Sequence, residues 1–311
     1  MMDIGEITPW SGYTNGRFHV DFLGVRTSAG FFPGLRPAKA GRLRTSLPGT
    51  SELLVEYAAC LLAVSANRPG CVVLELGAAW GVWTARAAAM ARQLRVPLRS
   101  VAVEPMPTLL DYMRRHYATN GLRGDCHRIM PVAVTPAGHH AWFKFASQSH
   151  LGAYTVSDDW AAFHTSSALA GLPEWLPVPT KDRSFVARVA ASPIAEIAES
   201  EPAFDFIHIR LNGSPHRMIG DAGLRAARTG MVVCPGLNSA DATALDGALA
   251  QAGFRSVFAI QPGASLNGPR GPVLLRSGIR IAVGDRVSEA QRADWALRLA
   301  NLVGTPIPTL N

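Results

Sequence analysis

The chain has 311 residues, 48% of them hydrophobic and 17% charged, the balance of a globular protein large enough to bury a sizeable core. No apolar run approaches the roughly 20 residues that cross a bilayer, and the opening MMDIGEITPW lacks the basic and apolar regions of a secretory signal, so a cytoplasmic protein without a membrane partner is expected. The net charge of +7 comes from 30 basic residues, only Lys39, Lys144 and Lys181 being lysines, spread along the chain apart from Arg36 to Arg44, which weighs against a nucleic-acid surface.

Residues 1–48 mix glycine, proline and aromatics at irregular spacing and read as an N-terminal extension packed on a core, with a short strand over Phe18 to Leu23. Glu52 to Ala66 follows the cap candidates Thr50 and Ser51 with apolar residues at helical spacing. Cys71 to Leu76 is apolar except for Glu75 and closes abruptly on Gly77, the pattern of a parallel strand buried on both faces. Gly77 and Gly81 bracket a turn, and Val82 to Gln93 is an alanine-rich helix. A second strand, Ser100 to Val103, ends in Glu104. The next helix carries Thr108 and Asp111 as a capping pair and stops at Asn120-Gly121. His127 to Val134 reads as one strand weakened by Pro131, and Gly138 to Phe145 as another.

From 147 to 183 the period dissolves into a long polar, prolyl stretch with Tyr154, Trp160, Phe163 and Trp175, read as a substrate-facing lid. Strands follow at Ser184 to Val189 and Phe204 to Leu211, with a short helix over Pro193 to Glu199 between them. Ser214-Pro215 opens a helix, Met231 to Cys234 is a strand, and Asp241 to Ala252 is a helix capped near Ser239. Ser256 to Ile260, Pro272 to Arg276 and Ile279 to Val283 read as closing strands, before a helix begun by the Ser288/Gln291 capping box. This alternation gives an α/β fold, a doubly wound and mostly parallel sheet over residues 49–311 with an N-terminal cover and a lid insertion. Cys60, Cys71, Cys126 and Cys234 are scattered without metal-ligand spacing, so reduced thiols and no metal are expected.

Glu104 lies 29 residues after Glu75 (104 − 75), the length of a strand, turn, helix and return loop. Two carboxylates therefore sit on neighbouring strand tips across a glycine turn, an arrangement suited to a ligand with an ammonium group and a ribose diol. S-adenosylmethionine has both. A dinucleotide fingerprint starting at Gly77 would need glycine at Ala79 and Val82, and no lysine follows the turn as in a phosphate loop. For a base serving a hydroxyl acceptor the candidates are His150, Asp158, Asp159, His208 and His216. His150 in the lid is the first choice, His216 sits at a helix start, and His208, inside a strand, reads as a satisfied core histidine. Arg210 at a strand tip either clamps an anionic substrate group or pairs outward with Asp205 or Asp221.

Several stretches, VVLELGAAWGVWTARAAAMARQ, VAVEPMPTLLDYMRRHYATNGL, HRIMPVAVTPAGHHAWF and FDFIHIRLNGSPHRMI, resemble the FkbM family of S-adenosylmethionine-dependent methyltransferases, which have a class I Rossmann-like fold. The resemblance covers roughly Phe18 to Phe254. It implies methyl transfer to a hydroxyl of a sugar or other small metabolite. It also implies a cofactor site at Glu75, Gly77, Ala78, Trp80, Gly81, Glu104, Pro105 and Ala133, with Glu104 on the ribose and Ala133 near the base. The acceptor side departs from the family. Its D-x-x-G-A-E reads Arg210 to Pro215 here, and its T-H-S reads Leu237-Asn238-Ser239. The acceptor-side residues expected from this chain are His150, Arg210 and His216. Two rivals follow: a catalytically silent relative acting as a scaffolding subunit, and an RNA methyltransferase. The expected partner is a small hydroxylated molecule, with a homodimer left open.

Overall fold

A computed structural model describes residues 7–32, 34–146, 155–156, 173–179, 184–211, 215–219, 221–268 and 271–303. Seven strands form the central sheet: β1 (Cys71–Leu76), β2 (Leu98–Val103), β3 (His127–Met130), β4 (Phe206–Ile209), β5 (Met231–Leu237), β6 (Arg255–Ile260) and β7 (Gly278–Val283). Their order is β6-β7-β5-β4-β1-β2-β3. The first five run parallel, and β7 inserts antiparallel to both β5 and β6. The chain winds outward from β1 through β2 to β3, then returns to β4 on the other side of β1. The switch point of the sheet thus lies between β1 and β4, and ligands of open α/β sheets bind outside the carboxyl ends at such a point.

Successive strand residues face opposite layers, which splits the core in two. Val73, Phe206 and Val233 pack with helices α1 (Glu52–Ala66), α2 (Val82–Leu94) and the C-terminal Glu289–Val303. Leu74, Ile207 and Val232 pack on the other face against Ile194, Leu224 and Leu245. Helix α1 is capped by Ser51, whose hydroxyl accepts from the Leu54 N–H at 3.3 Å. Helix α3 (Pro107–Thr119) starts one residue earlier than its sequence suggests. Pro107 occupies its first turn, Met106 precedes it without a side-chain cap, and Asp111 pairs with Arg114 instead. The cap of helix Ser239–Gln251 is Asn238, which accepts from Asp241 N–H at 2.8 Å; Ser239 is already helical.

The single strand expected over His127 to Val134 is divided at Pro131. Its first half is β3, while Ala133–Thr135 joins a second sheet, parallel to Ser184–Pro193. That sheet is built on a ribbon of His140–Ala146 against Ser184–Pro193, antiparallel over seven register pairs. The lid expected over residues 147–183 lies mostly outside the described residues. The closing strand expected over Pro272 to Arg276 is Gly271–Leu274, which pairs with Ser265–Gly268 outside the main sheet. The N-terminal segment forms two small strand pairs, Ser11–Thr14 with Gly41–Arg44 and Phe18–Val20 with Arg26–Ser28. It buries Ile7, Phe22, Leu23 and Val25 in the layer containing α1.

Candidate functional site

The turn after β1 is fixed by contacts that leave no room for side chains. Gly77 adopts φ +70°, and a Cβ there would lie 2.3 Å from the carbonyl oxygen of Arg210, at the end of β4. The N–H groups of Gly77 and Ala78 donate to Val103 O at 3.1 and 3.0 Å, while Arg210 N–H donates to Leu76 O at 2.9 Å. The turn is thereby tied to the ends of both neighbouring strands. Gly81 has φ +72°, and a Cβ there would meet the Tyr117 ring at 2.3 Å.

The two acids behave differently from their matched appearance in sequence. Glu75 turns its carboxylate onto the first turn of α2, accepting from Trp83 N–H at 2.9 Å and Thr84 N–H at 2.8 Å. It is a buried helix cap joining β1 to α2, with one backbone bond on each oxygen. Burial raises its pKa, opposed by the charge of His208 and by those backbone bonds. Glu104 at the tip of β2 accepts from Ala79 N–H at 2.9 Å and from Met106 N–H at 3.0 Å, and is 5% exposed. Desolvation pushes its pKa up to about 7, the two N–H bonds oppose the rise, and the nearby charge of Glu75 adds to it. Each of its oxygens keeps acceptor capacity beyond its one backbone bond.

A cavity of about 500 Å³ opens over these strand ends. Its wall includes Glu75, Gly77, Ala78, Trp80, Glu104, Pro105, Ala133 and Arg210. Gly81 lies just outside the wall, at the start of α2. His216, in the short helix Pro215–Ile219, is not part of the wall, and His150 lies outside the described residues. Arg210 is exposed. Asp205, one partner proposed for it from sequence, is engaged elsewhere, accepting from Val72 N–H at 2.9 Å and facing Arg286 at 3.2 Å.

The wall also holds Phe32 of the N-terminal extension, Leu53 of α1, and Trp83 and Arg86 of α2, none singled out from sequence, together with His208 of β4, one of the candidate bases. His208 is a core histidine as expected, 1% exposed, but satisfied on one side only. Its Nε2 lies 2.7 Å from Glu56 Oε2, but Nδ1 is buried without a partner among the described residues. A signal was available in Glu56 itself, an acid amid Leu54, Val55, Tyr57 and Ala58 on a helix expected to pack against the sheet. Among the described residues no group of His, Cys, Asp or Glu could hold a metal ion, and no helix is long and apolar enough to cross a membrane.

No protein-family model matches the chain, and no curated protein matches it. Among solved structures it is similar to a SAM-dependent methyltransferase from Agrobacterium tumefaciens, at 12% identity and TM-score 0.43, covering 89% of this chain and 70% of that one. It is also similar to an O-methyltransferase from Bacillus cereus in complex with SAH, at 14% identity and TM-score 0.38, covering 76% and 84%. A third is precorrin-6y C5,15-methyltransferase from Geobacter metallireducens, at 14% identity and TM-score 0.40, covering 73% and 87%.

Proposed function

We propose that the chain is an S-adenosylmethionine-dependent methyltransferase acting on a hydroxyl of a sugar or other small metabolite. The observation that carries this reading is Glu104: a nearly buried carboxylate on the tip of β2, held by the glycine turn at the switch point and lining a cavity. Its spare acceptor capacity suits a ribose diol, both hydroxyls of which donate. The cavity volume falls within the range of cofactor sites, roughly 300–1,000 Å³. Leu109, Val132 and Ala133 of the same wall offer apolar surface for a base.

The cofactor supplies a methyl group already activated on a sulfonium. The chain's own contribution is to bind, to align the acceptor and to exclude water. On the acceptor side Arg210 is the candidate within the cavity wall, and its exposed guanidinium suits an anionic group on the substrate. His150 is the proposed base. The same Arg210, standing where the resembled family has aspartate, is the observation that favours a silent, scaffolding relative.

Calorimetry and thermal unfolding with S-adenosylmethionine and S-adenosylhomocysteine test the reading. At 100 times Kd the ligand adds about 2.7 kcal/mol, a rise in Tm of roughly 4 °C for a chain of this size. Absence of both heat and shift would overturn it and favour the scaffold. Transfer of a labelled methyl group to hydroxylated small molecules then separates an enzyme from a silent binder.

A further inference from the structure

The residues around the cavity sort by exposure. Of the 21 described residues that line it, Phe32 and Arg210 alone are exposed; the others, Glu104 and Ala133 among them, are buried or half-buried. Those two side chains therefore stand at the rim. They come from opposite ends of the glycine turn. Arg210 follows β4, and its carbonyl oxygen is the atom that a Cβ on Gly77 would strike. Phe32 lies beside Trp80, at the far end of the turn, with ring centroids 6.4 Å apart.

Both side chains are left open to a ligand. Phe31, the residue before Phe32, is buried and stacks on Tyr112 of α3 with centroids 4.4 Å apart. That contact anchors the segment while the Phe32 ring stays 42% exposed. The Arg210 guanidinium has no hydrogen-bond or ion-pair partner among the described residues. An uncovered aromatic face and an unpaired cation at one cavity mouth suit a ligand with a flat apolar ring and an anionic group.

The half-buried part of the wall narrows the class. Apart from Gly77 and from Arg86, which is committed to Asp21, it consists of Leu53, Ala79, Trp80, Val82, Val132 and Leu211. Hydroxyls of a sugar set against such a surface lose water without gaining partners. An aromatic ring gains contact there instead. Its hydroxyl is also the more acidic, ionising at about pH 10 as that of tyrosine does.

We propose that the acceptor is an aromatic hydroxy acid, with its ring laid on Phe32 and its acid group paired with Arg210. These two residues then set specificity on the acceptor side. The proposal rests on the methyltransferase reading and selects the acceptor within it.

Calorimetry on the full chain saturated with S-adenosylhomocysteine tests it. The probes are two aromatic hydroxy acids of different length, 4-hydroxybenzoate and 4-hydroxycinnamate; phenol, the ring alone; and glucuronate, the acid on a sugar ring. The better of the two hydroxy acids is expected to bind at least about tenfold tighter than phenol or glucuronate, the scale of a charge-assisted pair. Arg210→Gln should bring it down to the affinity of phenol, and Arg210→Lys should restore part of the difference. Phe32→Ala should weaken the hydroxy acid and phenol alike, by about fivefold, the scale of an aromatic contact. Neither substitution should change the Kd for S-adenosylhomocysteine, which also reports that each variant is folded. No binding of either hydroxy acid, no advantage over phenol, or a preference for glucuronate overturns the proposal and leaves the cofactor reading intact. So does a loss of S-adenosylhomocysteine affinity in the variants as large as that of the hydroxy acid. Failure of the wild type to bind S-adenosylhomocysteine overturns both.

Discussion

Glu104 carries opposing demands at the scale of a single residue. Its raised pKa, about 7 against an ordinary 4.5, means that the folded chain binds a proton there at pH values where the unfolded chain has released it. Stability from this group is therefore greatest in acid and is lost as pH rises from about 4.5 through 7. At 1.36 kcal/mol for each pH unit of that window, the loss is on the order of 3 kcal/mol. Urea unfolding of the wild type and of Glu104→Gln, run from pH 5 to 8, should show the wild type losing ground to the variant by that order. Parallel curves would refute it. Ligand binding runs the other way, because diol hydroxyls donate to the ionised carboxylate. Affinity for S-adenosylhomocysteine should fall about tenfold from pH 8 to 6, as the ionised fraction falls with a pKa near 7.

At the scale of elements, the strand–turn–helix from β1 to α2 is held by the two contacts at its ends: Gly77 against β4, and Glu75 on the N-terminus of α2. Gly77→Ala must both adopt φ +70° and push back the Arg210 carbonyl. Gly121→Ala shares a similar φ of +73° but meets nothing within 4 Å. Urea unfolding should therefore show about 1 kcal/mol lost at position 121 and more than about 2 kcal/mol at position 77. Equal losses would mean that strain in φ alone is at work. This unit was legible in sequence because an all-apolar strand, an abrupt glycine and an alanine-rich helix agree. The division at Pro131 was half legible: the proline marked a weak strand, but a new sheet partner for Ala133–Thr135 is a long-range fact. The direction in which Glu75 turns is illegible for a similar reason. Residue type places an acid on a strand, but the direction of its oxygens depends on where α2 lands. The surroundings of His208 and Arg86 are not legible in sequence because they are set by Glu56 and Asp21, 152 and 65 residues away.

At the scale of the whole molecule, the N-terminal segment is part of the site's construction: Asp21 orients Arg86, and Phe32 lines the cavity. The same scale decides what the excess of positive charge means. A nucleic-acid surface needs cations concentrated on one face, yet many arginines here stand beside carboxylates. Arg255 and Arg292 meet Glu289, Arg280 meets Asp246, Arg99 meets Glu201, and Arg286 meets Asp205. The densest group along the sequence, Arg36, Lys39, Arg42 and Arg44, is exposed and lies on the N-terminal extension. Four cations on single-stranded RNA release about three counterions, which limits the slope of log K against log salt to about −3. Fluorescence anisotropy with a short labelled RNA should therefore show a slope no steeper than that. At physiological salt the Kd should be no tighter than the non-specific range, roughly 10⁻⁴–10⁻⁶ M. Nanomolar binding with a steeper slope would require a phosphate-binding face larger than this group, and would move the acceptor from a small molecule to RNA.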